Sequence, residues 1–142
     1  MGGETDVKVD IVVPNQTRYL SLIGNIGEQI AKELTGYQGD RDALAYNLNL
    51  VLTEAMVNAI QHATPGEKDK TVRVWIHVGD EALCIRVYDQ GQGFDLESVP
   101  TPDFEDPSEH GRGIFFIRQL MDSVTYRRTE DGNVLEMRKK LA

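Results

Sequence analysis

Between Asp40 and Ala63 the chain carries an apolar series, Leu44, Leu48, Val51, Leu52, Ala55, Met56, Ala59 and Ile60, at the three- and four-residue spacing of a helix. Set into it are Glu54, Asn58 and His62, four residues apart. At about 100° per residue these polar groups drift only about 40° per step, so they share one face. A carboxylate, an amide and an imidazole in a row are not an ordinary core stripe. Leu48, Leu52, Ala55 and Ala59 supply packing around them, and the row faces a site. Asp40 suits the N-cap and Asp42 the positive first turn. The helix is predicted to run to about His62, where Thr64-Pro65-Gly66 ends it.

The 142 residues suffice for one domain with a real core, and 40% hydrophobic with 27% charged residues is an ordinary globular composition. Fifteen basic against 23 acidic residues leave a net charge of −8. Long-range electrostatics therefore oppose direct binding of nucleic acid or an anionic membrane surface. The clusters Arg127-Arg128 and Arg138-Lys139-Lys140 fall near the ends of expected strands, where they read as solvated edges. A lone Cys84 within the apolar run 82–87 reads as a small buried hydrophobe. No segment has the length of a membrane span or the pattern of a signal sequence, so a cytoplasmic protein is expected.

Along the chain, Val7, Val9, Ile11 and Val13 alternate as a strand near a sheet edge, stopped by Pro14-Asn15. Residues 1–6 are expected to be a disordered start. Leu20, Ile23, Ile26, Ile30 and Leu34 define an amphipathic helix stopped at Gly36. Gly24 and Gly27 within it each cost about 1 kcal/mol relative to alanine, so either close packing compensates or the helix is weak. Thr71–Val78 and Ala82–Tyr88 read as a hairpin around Gly79-Asp80-Glu81, with Asp89 just past the second strand. Phe94–His110 has three prolines, six acidic residues and no lysine or arginine, and reads as a lid over 94–110. A helix follows from about Gly113 to Met121, then a hairpin of 123–128 and 134–140. The expectation is a single α+β domain over 1–142: a single-layer mixed, largely antiparallel sheet of about five strands with about three helices on one face.

Each stretch around the polar row suits part of a nucleotide. Asp89 can accept a hydrogen bond from the exocyclic amine of adenine, and Gly91 and Gly93 let the backbone approach the base. Gly111 and Gly113 flank Arg112 at a helix start, where free N–H groups, the helix dipole and a guanidinium suit phosphate. Asn58 offers an amide oxygen to magnesium, and Glu54 can take a proton from an attacking hydroxyl or water. His62 either orients this site or finishes the helix. The histidines lack metal-ligand spacing, so no zinc site is expected. Trp75 reads as packing and Ser108 as a solvated loop residue.

In this order, the segments Glu54-Ala-Met-Val-Asn58-Ala-Ile-Gln-His62, Asp89-x-Gly91-x-Gly93 and Gly111-x-Gly113 resemble the ATP-binding fold shared by gyrase-type topoisomerases, histidine kinases and mismatch-repair ATPases. Within that group the chain looks most like the small anti-sigma-factor serine/threonine kinases, over nearly its whole length. The resemblance implies Glu54 as general base and Asn58 as magnesium ligand. It also implies Asp89 as reader of adenine, with Gly93, Gly111, Arg112 and Gly113 around base and phosphates; His62 and Gly91 join them as candidate nucleotide-binding residues. It implies ATP and Mg2+ as cofactors and, as partners, an anti-sigma antagonist that is phosphorylated, a sigma factor or similar regulator that is sequestered, and a second copy in a homodimer. Two features depart from the pattern. Gly132-Asn133-Val134 stands where the family often has glycine followed by threonines, so either Asn133 substitutes or that contact is missing. The acidic lid would repel a triphosphate unless magnesium, Arg112 or a basic partner compensates. The alternative function is a module that sequesters a regulator without phosphotransfer, which has no need of Glu54. A simple ATPase and a histidine kinase, which would need a preceding helical hairpin, rank behind.

Overall fold

A computed structural model describes residues 6–35, 37–61, 70–91, 112–130 and 132–141. Strand β1 (Val7–Pro14) leads through a short 3-10 turn into helices α1 (Leu20–Glu33) and α2 (Arg41–Gln61). Strands β2 (Thr71–Val78) and β3 (Ala82–Asp89), helix α3 (Arg112–Leu120), and strands β4 (Ser123–Thr129) and β5 (Gly132–Lys140) complete the order. The five strands form one sheet in the order β1-β2-β3-β5-β4. All four pairings are antiparallel, so the expected mixed sheet is wholly antiparallel among the described residues. The expected disordered start, except Asp6, and the expected lid over 94–110 lie outside the described residues.

Alternation decides the sheet's faces. Val72, Val74, Ile76 and Val78 of β2, Leu83, Ile85 and Val87 of β3, and Leu135 and Met137 of β5 are all buried, each 2% exposed or less. They form one hydrophobic cluster with the apolar sides of all three helices. Burying a side chain such as Leu52 or Ile85 is worth about 1.5–3 kcal/mol, so this layer supplies most of the drive to fold. The opposite face is polar and paired. Arg73 makes a two-pronged bond to Asp10 (2.9 and 2.7 Å), and Arg86 donates to Glu136 at 2.7 Å while lying over Trp75. Cys84 lies on that face, buried as anticipated, and burial pushes its thiol up, away from reactivity. Arg127 and Arg128 are exposed on the edge strand β4.

α2 forms where the cap predicts: Asp40 Oδ1 accepts from the N–H groups of Asp42 (2.9 Å) and Ala43 (3.2 Å). Arg41 closes the corner by donating to the Leu34 carbonyl at the end of α1. The helix buries residues on several sides, from Leu44 to Ala59, because α1, α3 and β3 all pack against it. The two glycines of α1 face this helix. A Cβ on Gly24 would lie 2.6 Å from both Asn49 Oδ1 and Thr53 Oγ1, and one on Gly27 would collide with Leu52. Close packing is therefore what offsets their helix cost.

Candidate functional site

Glu54 and Asn58 stand one turn apart on α2 and are both half-buried, flanked by buried Ala55, Met56 and Ala59. The Glu54 carboxylate meets the first turn of α3: a Cβ built on Gly113 would fall 2.6 Å from Glu54 Oε2. The missing side chain at Gly113 is what lets the carboxylate lie directly against this turn. Burial pushes the Glu54 carboxyl above the usual glutamate range, because the charged form is poorly solvated there. The first-turn N–H groups of α3 have no partners within the helix, and its dipole turns its positive end to the same place. A proton acceptor and an anion-favouring helix end thus lie side by side.

A second cluster forms at the end of β3. Asp89, predicted just past the strand, is its last ladder residue and pairs with Asn133 of β5. The reason is alternation: Leu83, Ile85, Val87 and Asp89 share the inward face, and Asp89 is 6% exposed. Its Oδ1 accepts from Gly91 N–H (2.8 Å) and from Asn133 Nδ2 (3.0 Å), and the same Nδ2 donates to the Gly91 carbonyl (3.0 Å). Gln90 turns the other way and accepts from the Thr71 N–H, tying the turn to β2. Gly132 has φ +147°, and a Cβ there would collide with the Asp89 carbonyl oxygen, so the hairpin rests directly on this backbone.

Of the residues singled out in the sequence, the structure brings Glu54 to Gly113, and Asp89 to Gly91. His62, Gly93, Gly111 and the side chain of Arg112 lie outside the described residues. Asn133, left open as a substitute or a gap, makes a direct contact with Asp89. Gln90 was not singled out; the pairing of β3 beside β2, which brings it to Thr71, is the signal that finds it.

The fold and the ordered motifs have counterparts. The family model for the histidine kinase-like ATPase domain matches residues 16–139. The chain belongs to this family. Among its relatives is the serine-protein kinase RsbW of Listeria innocua serovar 6a, 30% identical over 125 residues that cover 82% of this chain and 77% of that protein. Another is the serine-protein kinase RsbW of Bacillus subtilis strain 168, 28% identical over 124 residues, 82% of this chain and 75% of that protein. The anti-sigma-factor kinase group anticipated from the motifs is thus the branch of the family to which this chain is assigned. The histidine kinase domain of a blue-light activated histidine kinase from Erythrobacter litoralis EL346 shares the fold. It has a TM-score of 0.55 and 22% identity, over 91% of this chain and 62% of that one. No described helix of this family member is long and apolar enough to cross a membrane.

Proposed function

We propose that the chain is an ATP-dependent serine/threonine protein kinase of the anti-sigma type. In this reading it phosphorylates a small antagonist protein in the cytoplasm, sequesters a sigma factor or similar regulator, and works as a homodimer. The observation that carries the kinase reading is the half-buried Glu54 carboxylate, with raised proton affinity, against the N-terminal turn of α3. A module that only sequesters a partner has no use for a half-buried carboxylate there.

The residues fit an adenine nucleotide. Asp89 offers a buried carboxylate at a strand end, with all its hydrogen bonds from described residues on one oxygen. Gly113 leaves room beside free helix N–H groups. Among the described residues no three histidine, cysteine, aspartate or glutamate side chains gather as a metal site. A magnesium ion would rest on the Asn58 amide, phosphate oxygens and water, as this ion commonly does. When bound, it would neutralise charge on the phosphates.

Asp89 accepts from the 6-amino group of adenine, with Gly91 and Gly93 close to the ring. The α3 N-terminus, with Gly111, Arg112 and Gly113, holds the phosphates, and His62 contributes to nucleotide binding. Glu54 takes the proton of the substrate hydroxyl as its oxygen bonds to the γ-phosphorus and the bond to the β-γ bridging oxygen breaks, releasing ADP. Calorimetric titration with ATP and Mg2+, wild type against Asp89→Ala, tests the site: saturable binding lost in the variant is expected. A folded wild type that binds no ATP overturns the nucleotide reading. A Glu54→Gln variant that binds ATP and still phosphorylates a partner serine overturns the assignment of the base.

A further inference from the structure

Asn133 is 2% exposed and stands across the ladder from Asp89. Both partners of its Nδ2, the Asp89 carboxylate oxygen and the Gly91 carbonyl, can only accept, so its amide orientation is dictated by its surroundings. Both N–H groups are used at 3.0 Å, one on each side of the turn. Gly132, which can sit on the Asp89 carbonyl only because it lacks a Cβ, brings the asparagine within reach. With Gly91 N–H at 2.8 Å, Asp89 Oδ1 receives two donors, whereas none from the described residues reaches Oδ2.

We infer that Asn133 sets the base selectivity of the site, by locking Asp89 so that Oδ2 alone is presented and 6-aminopurine nucleotides are taken over 6-oxopurine nucleotides. The inference rests on the nucleotide reading above. A carboxylate free to rotate about its Cβ–Cγ bond could offer either oxygen, or relay a water to a 6-oxo group. Held at Oδ1 by the Asn133 amide and the Gly91 N–H, it offers one fixed acceptor. The 6-amino group of adenine donates to that acceptor, while the 6-oxo group of hypoxanthine would set two acceptors face to face with no proton between them. A side chain with one donor, such as serine or threonine, reaches the carboxylate or the Gly91 carbonyl but not both. Asn133 is thus a positioning residue acting through Asp89.

The test is the ratio of affinities for ADP and IDP, each with Mg2+, measured by calorimetry on wild type, Asn133→Ala and Asn133→Thr, with thermal melts to establish folding. Wild type should prefer ADP by at least about 100-fold, up to the roughly 10⁴–10⁵-fold available to a site built around a substrate N–H. Asn133→Ala should narrow that ratio about tenfold by weakening ADP and leaving IDP unchanged, and Asn133→Thr should fall between. A residue that serves only packing would weaken both nucleotides in proportion. An unchanged ratio in folded Asn133→Ala, or in Asn133→Thr should the alanine variant not fold, overturns the inference while leaving the nucleotide site intact. A wild type that binds neither nucleotide overturns both.

Discussion

Replacing Gly113 by alanine separates catalysis from stability at a single methyl group. The added Cβ would sit 2.6 Å from Glu54 Oε2, where ordinary contact begins near 3.4 Å, so the carboxylate must retreat by about 0.8 Å. The atom displaced is the far end of a flexible side chain, so the cost to folding is small. Alanine also favours a helix over glycine by up to about 1 kcal/mol. The two effects leave stability within about 1 kcal/mol of wild type. Catalysis does not share that tolerance, because a catalytic group misplaced by about 1 Å loses about 100-fold in rate. Single-turnover ADP formation from ATP, read beside a thermal melt and an ADP titration, should show a rate near one hundredth of wild type in a protein that folds and binds normally. The backbone N–H of residue 113 survives the change, which is why affinity should hold. A folded Gly113→Ala protein with wild-type turnover would refute the assignment of Glu54 as the base at this contact.

Burial raises the proton affinity of Glu54, so its neutral form contributes stability that is fully present below the usual glutamate range and is lost as pH rises through the higher folded value. Glu54→Gln should therefore melt at or above the wild-type temperature at pH 7, with the gap closing towards about pH 4; a gap that widens on acidification contradicts the burial argument. Gly132→Ala should lower stability by about 2 kcal/mol or more in urea unfolding, since it forces an unfavourable φ and drives a methyl group into the Asp89 carbonyl. An unchanged midpoint would show that the hairpin does not rest on β3 in this way. Gly27→Ala should cost about 1–3 kcal/mol by overpacking against Leu52 and the Leu48 backbone, and more than Gly24→Ala, which meets only the side-chain ends of Asn49 and Thr53. Equal losses at the two positions would count against the packing explanation.

What could be read from the sequence was local. Asp40 announced the start of α2, alternation in 72–78 and 83–87 assigned the buried face, and the four-residue rhythm aligned Glu54 with Asn58. What could not be read depended on residues far apart in the chain. Nothing near Asp89 says that β5 rather than β4 lies beside β3, and without that neighbour the strand reads as ending at Tyr88. Asn133 opposite Asp89 extends the ladder by one residue and turns a departure from the family pattern into a contact. In the same way Gly113 reads as a phosphate-loop glycine from its spacing alone. Its approach to Glu54 follows from how α3 docks on α2, which no local pattern encodes.

The helix that carries Glu54 also carries Val51, Leu52, Ala55 and Met56, each 1% exposed or less. The backbone that carries Glu54 thus lies in the least yielding part of the molecule, and moving that helix would mean pulling the centre of the core apart, a change comparable to unfolding. Amide exchange around residue 54 should then be governed by global opening, slow with or without nucleotide. With Glu54 as the proposed base, control of the reaction would fall to whatever is brought to it, the supply and angle of the incoming hydroxyl, rather than to movement of the helix that carries it.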